Sequence, residues 1–389
     1  MGIKGEKGKI IIVGDFFPTE QNVSYFERGD IDTLFGEKII DLFDHADLAV
    51  CNLEGSLTDH EERCVKTGPI KVAPIKAIEA YKMLGIDYCM LANNHATDGG
   101  YQGVIDTMQT LDNVGIKYIG AGKNEQEIVR FFVQEVGGMK IGVYNVSETM
   151  YNKPTKNSAG AWLYDEYIVC HELEQLKKRC DYLLVIYHGG IEKFPYPSPE
   201  IKKRFHRMAD NGADMILSQH THCVGCEEWY NGSYLLYGQG DFLLKNFSPG
   251  LTDFGLIIEL DVSDGKVEIK KHLVKSVDNL FVRYDDKQDM RAFEERSKSL
   301  DDERYVSQQL QDFCENELKL YLEAFKSPSK YRQLQKRFFP RSYRRWLNNY
   351  TLRNLLFTLH TLRSEQNRET AIIGIVHLLS KIQVNNKQS

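Results

Sequence analysis

Residues of the types that bind divalent metals follow five short apolar runs in the first part of the chain. Their side chains are carboxylates, a carboxamide and imidazoles, which suit Mn, Zn or Fe better than Ca. Such a set can bind one or two metal ions that activate water for hydrolysis. The residues concerned are Asp15, Glu54, Asn94, His95, His188, His220 and His222.

The runs that precede these residues have the length and composition of buried strands. The five runs are Ile10–Val13, Leu48–Cys51, Tyr88–Ala92, Leu183–Tyr187 and Met215–Ser218. In an α/β sheet, ligands bind in the crevice outside the carboxyl ends of the strands. We therefore expect the polar residues to meet in one crevice, although they lie far apart in sequence.

Each motif alone has a simpler explanation. Gly14-Asp15 is typical of a turn or a helix N-cap, and Asn93-Asn94-His95 is typical of a loop that hydrogen-bonds its own backbone. His220 and His222 carry more weight, because alternate imidazoles of an extended segment project to the same side. Five such motifs, all at strand ends, together favour a metal site.

The chain of 389 residues, with 42% hydrophobic and 27% charged residues, is long enough for about two globular domains. Amphipathic stretches alternate with the apolar runs, which is the βαβ rhythm of a layered α/β domain. Glycine-containing turns near Gly137, Gly232 and Gly265 indicate hairpins and a mixed parallel and antiparallel sheet system. We predict an α/β domain over residues 1–279 and a helical C-terminal region over residues 280–389.

A net charge of -6 gives no reason to expect nucleic acid as a partner. The apolar run Ile10–Val13 is too short for a secretory signal, and no stretch reaches the ~18 apolar residues of a membrane span. We therefore expect a cytoplasmic protein, with attachment to the inner membrane surface as an alternative. The eight cysteines are interpreted as reduced thiols, with zinc or redox chemistry at Cys223 and Cys226 as the less favoured alternative.

The segment Lys326–Ser364 contains no acidic residue and interleaves basic with aromatic side chains. One interpretation is binding to an anionic membrane surface, to an acidic polymer or to other proteins of a biosynthetic complex. The other, slightly favoured, is an amphipathic helical cap that neutralises the acidic stretch before it.

The five motifs and their order resemble the CapA, or poly-γ-glutamate capsule synthesis, family over roughly residues 10–250. The matching segments read GDFFPT, CNLEGSLTD, LANNHATDGG, YHGGIE and SQHTHCVGCEEWYNGSYLLYGQGDFLL. The resemblance implies a two-sheet β-sandwich flanked by helices, in four layers, as in calcineurin-like metallophosphoesterases. It further implies a role in the synthesis of a bacterial surface polymer.

Site roles follow from the resemblance, motif by motif. Asp15 and His222 would bind one metal, and Glu54 would bridge to a second. The remaining ligands of that second metal would be Asn94, His188 and His220. His95 would stand beside the substrate as a general acid or an orienting hydrogen-bond donor.

The chain departs from these patterns at several positions, among them Ser218-Gln219-His220-Thr221-His222, where the capsule family usually has Gly-His-His-Pro-His. Phe17 stands where metallophosphoesterases place a histidine ligand, and Glu54 replaces the usual bridging aspartate. Asp241 follows Gly240 where the capsule family has a Gly-Asn pair. It could be an added ligand, although a turn-capping aspartate is the more common occurrence.

Substrate contacts are expected from Asn93, Lys71 and Tyr196, although lysines such as Lys71 are individually more often solvated. We expect a metal-dependent hydrolase of a phosphoester or amide bond, acting on an anionic polymer or phosphoester. The alternative is a non-catalytic protein that binds polymer or scaffolds capsule synthesis, which the missing ligand at Phe17 favours. A nucleotide phosphoesterase rests on fold analogy alone.

Overall fold

The structure is a computed structural model that describes residues 7–64, 66, 68–148, 153–244, 252–278, 280–326 and 337–343, with only the backbone for 318–326. The chain forms two compact units, Met1–Leu310 and Gln311–Ser389. The strands of the first unit are β1 Lys7–Phe16, β2 Leu48–Leu53, β3 Ser56–Leu57, β4 Val72–Ala73, β5 Tyr88–Met90, β6 Lys117–Ile119, β7 Ala121–Gly122, β8 Phe131–Val136, β9 Met139–Ser147, β10 Gly160–Ala161, β11 Tyr182–His188, β12 Met215–Gln219, β13 Glu227–Tyr230, β14 Ser233–Leu236, β15 Asp241–Leu243, β16 Phe254–Ser263, β17 Lys266–Val277 and β18 Phe281–Tyr284.

Helices precede, separate or follow these strands along the chain. They are α1 Val23–Arg28, α2 Ile31–Phe35, α3 Glu37–Asp44, α4 Ile78–Met83, α5 Gly100–Val114, α6 Glu166–Lys177, α7 Pro199–Asp210, α8 Arg291–Ser299 and α9 Glu303–Lys326, with a short 3₁₀ helix at Ile75–Ala77. Side-chain hydrogen bonds cap the N-termini of several helices. Asp165 accepts hydrogen bonds from two backbone amides at the start of α6, and Ser198 accepts one at the start of α7.

Two large sheets form the centre of the first unit. One has the strand order β18-β17-β16-β1-β2-β5-β6, with β15 also paired to β1, and the other has the order β13-β14-β12-β11-β9-β8. Parallel pairs such as β1 with β2 and β11 with β12 lie beside antiparallel pairs such as β1 with β16. The mixed α/β architecture expected from the sequence is confirmed.

Alternating side chains of β1 explain the layers. Ile10 and Ile12 point into an apolar core shared with Leu184 and Ile186 of the second sheet. Ile11 and Val13 point to the opposite face, where helices α1 to α5 pack. Helices α6 and α7 contact the second sheet through β11 and β12. The order helices, sheet, sheet, helices is the expected four-layer sandwich.

The chain after residue 279 continues the first unit. Strand β18 pairs with β17, and Phe293 of α8 is buried in the core between the sheets. Arg296 of α8 donates to the backbone oxygens of Val224 and Gly225, both at 2.9 Å. The boundary predicted after residue 279 stays a prediction, whereas the two compact units divide between Leu310 and Gln311.

The basic segment Lys326–Ser364 lies outside the described residues except for 337–343 and the backbone of Lys326. Its predicted role as a helical cap or a binding surface is therefore not described by the structure. Among the residues that are described, no helix combines the length and apolar character needed to cross a bilayer.

Gly55 lies directly after Glu54 and packs against the ring of Phe17. A Cβ atom at Gly55 would stand 2.5 Å from two ring carbons of Phe17, and that ring is 2% exposed. Because a Cβ atom at Gly55 would overlap this buried ring, Gly55→Ala should lower the free energy of unfolding by about 1–3 kcal/mol. Denaturant unfolding measures the change.

A matched control is Met83→Ala, because Met83 on α4 is 56% exposed. This variant should stay within about 0.5 kcal/mol of the parent protein. Equal stability of Gly55→Ala and the parent would contradict the tight packing of Phe17 on Gly55.

Candidate metal centre

The ends of neighbouring strands bring the predicted ligands together. Asp15 of β1 lies opposite Asn52 of β2 on one side and opposite Asp241 of β15 on the other. In the second sheet, the last residue of β11, His188, lies opposite Gln219, the last residue of β12. Because parallel strands end at a common edge, residues distant in sequence meet at one place.

Asn52 is the central hydrogen-bonding residue of this edge, and the sequence analysis did not single it out. Its Nδ2 donates to Asp15 Oδ1 at 2.6 Å and lies 3.1 Å from His188 Nδ1. Its Oδ1 accepts from Asn93 Nδ2 at 3.1 Å. The other ring nitrogen of His188, Nε2, lies 2.8 Å from Asn94 Oδ1. Asn52 thus links the two sheets and orients one residue of each.

Glu54 is fully buried and its two oxygens differ in their surroundings. Lys71 Nζ donates to Oε2 at 2.5 Å, whereas Oε1 has no hydrogen-bond partner among the described residues. This oxygen lies 3.8 Å from His188 Nε2 and 3.9 Å from His95 Nε2. A buried carboxylate oxygen without a partner is costly unless a cation binds there.

Two groups of potential ligands share His222. Glu54, His220 and His222 form one group, and Asp15, His222 and Asp241 form the other. Within each group the ligand atoms all lie within 4.8 Å of one another. His220 Nδ1, like Glu54 Oε1, is a buried atom without a hydrogen-bond partner in the described part of the chain. The mixed carboxylate and imidazole donors fit a divalent transition metal.

Asp241 belongs to this centre. It begins β15, lies opposite Asp15, and its Oδ1 is 2.8 Å from His222 Nδ1. Its side chain is only 8% exposed. This placement favours the alternative of an added ligand over the turn cap that its sequence context favoured.

The backbone at His220 and His222 differs from the extended segment assumed in the sequence analysis. Strand β12 ends at Gln219, and the two histidines have φ angles of 91° and 54°. Positive φ is strained for residues other than glycine and concentrates at functional sites. The two rings still face one cluster, but through a tight bend that brings His220 N within 3.0 Å of Asp15 Oδ2.

Electrostatics separate the protonation states of the cluster. Burial opposes ionisation of Asp15, but His222 and His188 hold the pKa of Asp15 well below its usual range. Burial would lower the pKa of His222, but Asp241 and Glu54 raise it well above its ordinary value. Burial, followed by the charge of His222, lowers the pKa of His220 to about 4. The metal-free cluster thus combines an ionised Asp15 with a protonated His222 and a neutral His220.

His95 is oriented by two residues that the sequence analysis did not assign to it. Its Nδ1 lies 2.6 Å from Asp98 Oδ2 and 3.1 Å from Lys66 Nζ, and Lys66 also pairs with Asp98. Burial, helped by Lys71 and Lys66, holds the pKa of His95 far below its ordinary value. His95 is therefore a neutral ring whose Nε2 faces Glu54. Its spacing of three residues from Asp98 was the available sequence signal.

Phe17 does not take the place of a ligand. Its ring is buried against Gly55, and its backbone N donates to Leu243 O at 2.8 Å. The position filled by histidine in metallophosphoesterases thus belongs to the apolar core here. The carboxylate of Asp241 lies nearby, beside His222 and Asp15.

The predicted substrate residues are placed differently from one another. Asn93 is fully buried. Its Nδ2 donates to Asn52 Oδ1 and to Leu53 O, and its Oδ1 accepts from His95 N. Tyr196 lies 3.2 Å from Ser299 Oγ of α8. Lys71 contacts a predicted ligand, Glu54. The expectation that Lys71 is solvated is wrong, because its side chain is 10% exposed.

Cys223 and Cys226 are buried free thiols, as the favoured interpretation had them. Burial raises the pKa of both, that of Cys223 to about 12. Neither belongs to a group of potential metal ligands in the described residues.

Comparison with known proteins gives consistent matches. Residues 9–246 match the family described as "Bacterial capsule synthesis protein PGA_cap". The capsule biosynthesis protein CapA of Bacillus anthracis is 27% identical over 183 residues, 46% of this chain and 44% of that protein. The PGA biosynthesis protein CapA of Bacillus subtilis is 26% identical over 244 residues, 62% of this chain and 63% of that protein. The chain thus spans less than two thirds of the length of these relatives.

Among solved structures, one described as a novel phosphatase from Mycoplasma pneumoniae is similar to this chain. The TM-score is 0.45 and the sequence identity is 14%, over 74% of this chain and 99% of that one.

The pH dependence of the protein's stability tests the environment of Glu54. Burial is the largest cause that raises the pKa of Glu54 from an ordinary 4.5 to about 8. Between these values the folded protein keeps a proton that the unfolded chain has lost, so its stability falls as the pH rises. The metal-free variant Glu54→Gln should therefore gain stability relative to the parent as the pH rises from 4.5 to 8.

Chemical denaturation in a chelator at several pH values measures this difference. Glu125→Gln, which changes an exposed glutamate, is the control and should show no such trend. A constant difference between Glu54→Gln and the parent would contradict the described burial of the carboxylate.

Proposed function

Because the chain belongs to the bacterial capsule synthesis protein family PGA_cap, we propose that it is a divalent-metal-dependent hydrolase of surface-polymer synthesis. The bond cleaved would be a phosphoester or an amide. The observation that carries the proposal is the buried cluster around Glu54, in which Oε1 has no hydrogen-bond partner in the described chain. Unpaired buried carboxylate oxygens are expected where a cation binds.

The ligands divide into two sets that share His222. One set is Asp15, His222 and Asp241, and the other is Glu54, His220 and His222 with His188 and Asn94 adjacent. One or two ions of Mn, Zn or Fe suit these donors. A divalent metal supplies Lewis-acid activation of water and charge stabilisation in such reactions.

His95 is the residue we assign to proton transfer. Asp98 Oδ2, 2.6 Å from Nδ1, fixes the ring so that Nε2 is directed toward Glu54 and the crevice. A neutral imidazole held in this way accepts a proton, or orients a group that carries one, and returns the proton to the leaving group. Asp98 and Lys66 act as positioning residues for His95.

The printed names of the relatives refer to capsule and PGA biosynthesis. We propose by analogy that the substrate is an anionic polymer or a phosphoester precursor of one. Binding of a membrane surface or a biosynthetic complex through Lys326–Ser364 remains a proposal, as does the absence of a nucleic-acid partner. The cytoplasmic location expected from the sequence stays a prediction.

A second candidate function is non-catalytic binding of polymer, or scaffolding of capsule synthesis by the same crevice. Phe17 favours it, because an apolar residue stands where a metallophosphoesterase has a ligand. Asp241 weighs against it, since its carboxylate lies beside Asp15 and His222. The two functions differ in whether His95 affects turnover of a substrate.

His95→Ala should lower kcat on a generic phosphoester or γ-glutamyl amide by at least about 100-fold, the usual contribution of a positioned acid-base group. Metal content should be unchanged, because His95 is outside both ligand groups. His45→Ala changes an exposed histidine and serves as the matched control. Parental turnover by His95→Ala would contradict the mechanism, and a metal-loaded parent inactive on both substrates would favour the scaffold.

Asp241→Asn tests the added ligand. Asparagine keeps the size of the side chain but removes the charge beside His222 and Asp15. The affinity for Mn²⁺ should fall by at least about tenfold, the loss typical of even an outer-shell partner. Equilibrium dialysis with elemental analysis measures it, and parental affinity in the variant would restore the turn-cap interpretation.

A further inference from the structure

Lys71 stands between the candidate metal centre and a neighbouring groove. Its Nζ donates to Glu54 Oε2 at 2.5 Å, and its side chain is 10% exposed. Its backbone is held on both sides, because its N donates to Asp98 Oδ2 at 2.7 Å and its O accepts from Ser56 N at 3.0 Å. A change of position is therefore confined to the flexible side chain.

The groove has a volume of 530 Å³ and is mostly apolar. Its walls are formed by the chain after β1 and the chain around β4, and they include Phe17, Pro18, Val23, Pro69, Ile70 and Leu244. Among the described residues that line it, Lys71 supplies the one cation and Glu20 the one carboxylate. An anionic group in this groove would thus find its attractive charge at Lys71.

We propose that Lys71 is an anion-binding residue that pairs with Glu54 in the metal-free protein and turns into the groove when Glu54 binds a divalent metal. There it binds a carboxylate or phosphate group of the substrate. This inference rests on the proposed function, because it requires a metal at Glu54.

Charge explains the movement. With a divalent cation held by Glu54, the charge of the carboxylate would be neutralised and the nearby ammonium group of Lys71 would be repelled. The lysine stem is flexible and its ammonium group has three donors, so it can reorient and make charge-assisted hydrogen bonds to an anion. The anion would then be attracted by both the metal and Lys71.

Lys66 provides an internal comparison. It is buried to a similar extent, with 4% of its side chain exposed, and it pairs with Asp98. Asp98 is not in either group of potential metal ligands. Lys66 should therefore keep its partner when metal binds, whereas Lys71 should lose its partner.

Acetylation of lysines by acetic anhydride, quantified by mass spectrometry, tests the proposal on the full chain. Protein freed of metal by a chelator is compared with protein loaded with Mn²⁺, whose metal content is measured in parallel. We expect acetylation of Lys71 to rise several-fold with metal and acetylation of Lys66 to stay constant. In Glu54→Gln, Lys71 should be reactive even without metal.

Anion binding is tested in the same assay by adding inorganic phosphate or a γ-glutamyl peptide to the metal-loaded protein. Protection of Lys71 by either supports the proposal, and the more effective probe identifies the class of anion. Lack of protection by both overturns the anion-binding role.

Two failures are distinguishable. Bound metal with unchanged acetylation of Lys71, or with equal changes at Lys71 and Lys66, overturns the role of Lys71 and leaves the metal site intact. Absence of bound metal overturns the proposed function and this inference together.

Discussion

The first unit brings acidic groups together at one buried place. Asp15, Glu54 and Asp241 meet at the strand ends with side chains that are at most 8% exposed. Buried carboxylates are tolerated only when they are paired, protonated or bound to a metal. Lys71 and protonated His222 offset part of the charge, and Asn52 donates a further hydrogen bond to Asp15. Glu54 Oε1 is left without a hydrogen-bond partner among the described residues. This unpaired oxygen is the physical basis for expecting a divalent cation.

The local patterns of the sequence were sufficient to predict the strands and the polar residues that meet at their ends, whereas the layers were implied by the resemblance to the capsule synthesis family. The run Ile10–Val13 is a buried strand, and Asp15 ends up beside Asn52 because β1 and β2 are parallel. Asp98 and Lys66 could not be assigned in the same way, because a buried ion pair depends on which loop folds over the site. Similarly, the bend at His220 is set by tertiary contacts, such as the hydrogen bond from His220 N to the Asp15 carboxylate. No local sequence pattern encodes such a contact.

The departures from the metallophosphoesterase pattern form a connected set. Phe17 is buried in the core against Gly55, and Asp241 lies beside Asp15 and His222. His95 keeps a partner in Asp98, as the proposed proton transfer requires. Asp241 is thus a candidate ligand in place of the histidine that Phe17 replaces, which is why we favour an enzyme over a scaffold.

The central claim is that this buried cluster binds divalent metal. Crystals soaked in Mn²⁺ and measured at its absorption edge would test the claim directly. The account predicts anomalous density within coordination distance of Glu54 Oε1, His220 and His222, with a second peak near Asp15 and Asp241 when both sets are filled. Absence of anomalous density at the cluster, in crystals soaked at saturating Mn²⁺, would contradict it.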